Sequence, residues 1–97
     1  ALTLYGIAVV QKNEKDFTGS EVTSIEALTL LSQLKQTKDV KRCKSYVYNN
    51  LGLLFGELGQ FDESISYHKS AIKIKEEYDP IVVIDAGYTE IEAGSET

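Results

Sequence analysis

Between Tyr48 and Ile74 the chain reads YNNLGLLFGELGQFDESISYHKSAIKI, with apolar residues at helical spacing on either side of Gly59-Gln60. Val47, Leu51, Leu54, Phe55 and Leu58 recur at three- and four-residue steps, which predicts a helix over about 40–58 with one apolar face. Glycine readily takes the left-handed conformation just past a helix C-terminus, so Gly59 ends this helix. A second helix is expected over about 61–77, capped by Asp62, with Ile65, Ala71, Ile72 and Ile74 on its buried face. The turn between them is short enough to require antiparallel neighbours, a helix hairpin.

The same pattern extends outward. Leu2, Tyr5, Gly6 and Val9 repeat the spacing of Tyr48, Leu51, Gly52 and Phe55, which predicts a helix over 2–13. Asn13 to Ser20 is polar, contains Gly19 and reads as a loop. A helix over 21–36 follows, with Thr23 and Glu26 as a capping box and Ile25, Leu28, Leu31 and Leu34 facing inward. After the central hairpin, Asp79-Pro80 suits a cap and first helical residue. Val83, Ala86 and Gly87 restate the motif 35 residues after its central copy, giving a fifth helix over 80–94. The β-branched run Ile81 to Ile84 leaves a short strand as the alternative there.

Tyr48, Leu51-Gly52 and Phe55, then Gly59 at the turn, Phe61 after it and Ala71 in the second helix, resemble a tetratricopeptide repeat. Each residue type has a reason: Gly52 lets two helices approach, Phe55 and Phe61 fill the wedge between them, and Ala71 is small where backbones cross. Ser64 and His68 depart from the alanine and large aromatic usual in that family, with Tyr67 beside His68 available for aromatic packing. Gly6 and Gly52 lie 46 residues apart, against about 34 for a standard repeat. The surplus is assigned to insertions around Asp16–Ser20 and Gln36–Asp39, similar to the extended repeats of bacterial signalling proteins. The resemblance implies an all-α, right-handed superhelix of hairpins, about two and a half repeats in a single domain fragment over residues 1–97.

Composition narrows the classes. Ninety-seven residues, 42% hydrophobic and 26% charged, make one small globular domain. No apolar run is long enough to span a bilayer, so no membrane insertion is expected. A net charge of −5 opposes general nucleic-acid binding. The lone Cys43 makes no internal disulfide and is compatible with a reducing cytoplasm, which leaves the compartment unassigned. The chain holds no methionine and opens inside a helical pattern, which reads as an excised piece of a longer protein.

The functional expectations follow the resemblance. In that family the first helices of successive repeats line a concave face that holds an extended peptide, and an asparagine before the Leu-Gly pair bonds its backbone. Asn50 matches that position, with Asn49, Leu53 and Glu57 on the same side; Thr3 and Ile7 correspond in the preceding repeat, Asp85 and Tyr88 in the following one. Asn50 could instead bridge adjacent helices. His68 is the sole histidine and has no ligand-spaced partner, so neither a metal site nor nucleophilic catalysis is expected, and no cofactor. Lys35, Lys38, Lys41, Arg42 and Lys44 form a basic cluster opposite the acidic stretch Glu76 to Glu96, either as solvated faces or as complementary ends of neighbouring copies. The implied function is a protein- or peptide-binding scaffold within a sensor kinase, a transcription regulator or an assembly scaffold. A small-molecule sensor, or part of an enzyme, is the rival. The apolar side of residues 81–91 is expected to promote homo-oligomers.

Overall fold

Two turns of the same construction set the architecture. The computed structural model describes residues 2–79, which form α1 (Leu2–Asn13), α2 (Phe17–Ser32), α3 (Lys38–Glu57) and α4 (Phe61–Tyr78), with no strand among the described residues. The fifth helix expected over 80–94, its strand alternative at Ile81–Ile84 and the association face at 81–91 lie outside the described residues.

Glu14–Asp16 joins α1 to α2, and Leu58–Gln60 joins α3 to α4. Lys15 takes a left-handed φ of 71° in the first turn, and Gly59 takes 78° in the second. The Asp16 N–H donates to the Gln11 carbonyl at 2.8 Å, and the Gln60 N–H to the Phe55 carbonyl at 2.9 Å, the bond that closes a helix C-terminus around a left-handed residue. Asp16 and Gln60 then stand as N-caps with nearly equal backbone angles, φ −84° and ψ 74° against φ −92° and ψ 77°. One turn into the next helix, Ser20 Oγ donates to the Ala8 carbonyl at 2.8 Å and Ser64 Oγ to the Gly52 carbonyl at 2.6 Å.

Every one of these pairs is 44 residues apart, so the period in space is 44 and the counterpart of Gly52 is Ala8. This corrects the 46-residue register drawn through Gly6. The position that must be small is the one whose carbonyl receives the serine. Ala8 is buried there, whereas a Cβ at Gly6 would meet nothing within 4 Å. At Gly52 a Cβ would lie 2.6 Å from the His68 ring, so the close approach inferred for Gly52 holds. The two turns are equally long, so the first loop carries no insertion. The two hairpins are joined by the α2–α3 connection and the first turns of α3.

α2 starts at Phe17, four residues earlier than expected, because Asp16 accepts from the Gly19 N–H at 3.0 Å and caps it. Thr23 is therefore mid-helix and its hydroxyl donates to Gln11 Oε1 at 2.8 Å, so Thr23 and Glu26 form no capping box. The buried face of α2 is Ser20, Thr23, Ser24, Ala27 and Leu31, while Ile25 and Leu34 are exposed. Ser20, Ser24 and Ala27 are small, which lets the neighbouring helices approach closely.

α3 is the central element. Val47, Leu51 and Leu54 are fully buried and, with Phe55 and Cys43, form one core with Ala27 and Leu31 of α2. Tyr67 of α4 stacks on Phe55 (centroids 5.5 Å) and Tyr48 (6.3 Å). Burial, then the nearby Glu21, raises the Tyr67 phenol pKa. Phe61, expected in this wedge, is 66% exposed at the start of α4. The buried face expected for α4 is also revised: Ile65 and Ile72 are exposed, and only Ser64 is buried. Gln60 rather than Asp62 is the N-cap, with no side-chain capping bond. α4 meets α3 through Ser64 and Tyr67, which leaves an exposed apolar stripe, Ile65 and Ile72, along its side.

Candidate functional site

That stripe and the neighbouring edge of α3 enclose an open groove of about 440 Å³. Tyr46 and Asn49 form its α3 wall, and His68, Ala71, Ile72 and Lys75 form its α4 wall. Ser45 and Tyr78 close one end. Ser45 Oγ donates to the Arg42 carbonyl at 2.7 Å, so in the 3.0 Å contact with Tyr78 the phenol is the donor. Lys41 pairs with Glu77 at 3.3 Å, and the Arg42 guanidinium lies over the Tyr78 ring at 5.9 Å. These contacts tie the end of α4 to the first half of α3 and fix the groove's width. At the other end Asn49 Oδ1 accepts from His68 Nδ1 at 3.1 Å, which holds the ring over Gly52.

The groove offers a small apolar floor at Ala71 and Ile72, a polar pair at Asn49 and His68, and one cation at Lys75. It does not assemble a nucleophile with a base: Cys43 lies buried, with its thiol pKa raised mainly by that burial. Among the described residues no cluster of three or more His, Cys, Asp or Glu could hold a metal ion. No helix among them is long and apolar enough to cross a membrane.

The residues expected on a concave face separate into groups. Asn49 lines the groove. Leu53 and Glu57 are exposed on the same side of α3, one and two turns further on and outside the groove lining. Asn50 is corrected: it is buried against α2, its Nδ2 donating to Ser20 Oγ at 3.4 Å and Ser24 Oγ at 3.3 Å, with Oδ1 buried and unpartnered. It bridges helices, and solvent does not reach its amide. Thr3 and Ile7 are exposed on α1. Tyr5 stacks on Tyr46 of α3 (centroids 5.8 Å), and Thr3 and Ile7 sit about 160–200° round α1 from Tyr5. They lie on the side of α1 turned away from the Tyr5–Tyr46 contact. Asp85 and Tyr88 lie outside the described residues.

Sequence reasoning missed Tyr46, His68, Ile72, Lys75 and Tyr78 as groove residues. The available signal was α4's apolar stripe, which was assigned to the core. The basic cluster is largely engaged within the chain: besides the Lys41 and Arg42 contacts, Arg42 pairs with Asp39 at 3.4 Å and Lys44 donates to Gln36 at 3.0 Å. No protein-family model, no curated protein and no solved structure matches the chain.

Proposed function

We propose that this chain is a helical-repeat binding module of the tetratricopeptide type, which holds a polypeptide segment and carries no chemistry of its own. The observation that carries this reading is the 44-residue repeat itself. Shifted by that period, the groove residues Asn49, His68, Ala71 and Ile72 correspond to Tyr5, Ser24, Ala27 and Leu28. Tyr5, Ala27 and Leu28 belong to or flank the core that α3 fills on the first hairpin, and Ser24 bonds Asn50 of α3. The second hairpin thus presents the same kind of seat with no helix in it among the described residues. The small residues at equivalent positions, Ala8 and Gly52, Ser20 and Ser64, Ala27 and Ala71, support the family resemblance.

The occupant this seat favours is an amphipathic helix with aliphatic residues at i, i+4 and i+7, the spacing of Val47, Leu51 and Leu54. Peptides selected from a displayed library against the folded chain should carry that stripe. Ala71→Leu, which fills the floor, should weaken them about tenfold, ~1.4 kcal/mol, with helicity unchanged. Selected peptides that bind both forms equally would place binding elsewhere. A small-molecule sensor is the second reading, since the groove volume of about 440 Å³ lies in the range of ligand pockets. A bound compound in a native mass spectrum would favour it.

A further inference from the structure

The face that α3 buries against the first hairpin has an exposed counterpart in the same chain. Shifted back by 44 residues, Val47, Leu51 and Leu54 become Thr3, Ile7 and Val10 of α1. All three are exposed, Ile7 at 45% and Val10 at 53%. Among the described residues both halves of this internal interface are unfilled, a seat on α3–α4 and a matching stripe on α1. Building on the reading of that groove as a helix-binding seat, we propose that its partner is α1 of a second copy, so that chains associate head to tail.

The exchanges at equivalent positions favour this occupant over an arbitrary amphipathic helix. Inside the chain, Asn50 meets Ser20 and Ser24 at 3.4 and 3.3 Å. Between copies, the counterpart of Asn50 is Gly6, and the counterparts of the two serines are Ser64 and His68. The larger ring in the seat is thus matched by the loss of a side chain on the stripe. Among the described residues nothing lies within 4 Å of where a Gly6 Cβ would be, and a glycine inside a helix is a destabilising choice. A second exchange runs the same way. Lys75 replaces Leu31 in the seat, and Thr3 replaces Val47 on the stripe, a polar residue on each side. Ile72 supplies the apolar contact that Leu28 makes on the first hairpin, and it is 52% exposed.

Such a contact uses two different surfaces, so it does not close on itself and leaves a free seat and a free stripe at the ends. Complementary variants test this on the full 97-residue chain. Ile7→Glu blocks the stripe and leaves the seat; Ile72→Glu blocks the seat and leaves the stripe. In sedimentation, the unaltered chain should grow in mass with concentration past the dimer, and each variant alone should stay monomeric. An equimolar mixture of the two should double in mass and stop there, since it retains a single productive pairing. Gly6→Leu should abolish association while keeping native helicity.

A chain that is monomeric at its highest soluble concentration overturns the proposal, as does a mixture no heavier than its components. Association that survives both variants also overturns it. If selected peptides still bind the groove competitively with Ile72→Glu sensitivity in those cases, only the choice of a second copy fails. If they do not, the reading of the groove as a helix seat fails with it.

Discussion

At the scale of single residues, the tightest constraint is the meeting of Gly52 and His68. A Cβ at residue 52 would lie 2.6 Å from an imidazole held by Asn49. Gly52→Ala should therefore cost about 1–2 kcal/mol by overpacking. In a His68→Ala background the same change should stabilise by roughly 0.5–1 kcal/mol, as alanine does in an open helix. Chemical denaturation of the four proteins measures the sign change; an equal cost in both backgrounds would remove His68 as the cause. Asn50 illustrates what a motif position conceals. Its residue type suited a peptide contact, yet its amide is buried between α2 and α3 with one oxygen unpartnered. Asn50→Ala should lower stability by about 1 kcal/mol and leave groove-directed peptides bound as before, a result calorimetry would show. Gly52 was legible in the sequence because only a close approach explains a glycine beside Leu51 in that pattern. The side of the helix that Asn50 takes was not, since it depends on the hydroxyls of Ser20 and Ser24 about 30 residues away.

At the scale of elements, the two turns share a backbone and differ in chemistry, which turns each into a reference for the other. The left-handed residue is Lys15 in one and Gly59 in the other, and the N-cap is Asp16 in one and Gln60 in the other. A non-glycine residue in the left-handed region costs roughly 1–2 kcal/mol. Lys15→Gly should recover part of that, less the loss of the Lys15 cation over the Phe17 ring at 6.0 Å. Gln60→Asp should add about 0.5–1 kcal/mol by accepting the Glu63 N–H as Asp16 accepts that of Gly19. Thermal melts of the two variants check this, and a lower melting point for Gln60→Asp would mean that repulsion from Asp62 and Glu63 outweighs the cap. The central hairpin was readable because Gly59 and the apolar spacing of α3 agree. α2 was misread for a specific reason. It carries apolar residues nearly all round, so Ile25 and Leu34 looked as inward as Leu31. What selected the face was the row of small residues from Ser20 to Ala27, and a hydrophobic pattern gives such residues no weight.

For the molecule as a whole, the two hairpins are alike in path and unequal in strength. The second is held by the stack of Tyr48, Tyr67 and Phe55, with ring centroids 6.3 and 5.5 Å apart. At the equivalent positions the first has Leu4, Thr23 and Gln11, joined by one hydrogen bond of 2.8 Å. α1–α2 therefore depends on α3 for the apolar contact its own pair lacks, whereas α3–α4 has its own. In a stack whose stability is a sum of unit and interface terms, weakening the interface should release the weaker unit first. Leu31 is buried at that interface, on the α2 side. Leu31→Ala should cost about 2–4 kcal/mol at the interface. In hydrogen exchange the amides of α1 and α2 should lose protection, while those of α3 and α4 around Leu51 to Phe55 keep most of theirs. Uniform loss across all four helices would show a single cooperative unit instead, in which the aromatic stack gives α3–α4 no independence from its neighbour.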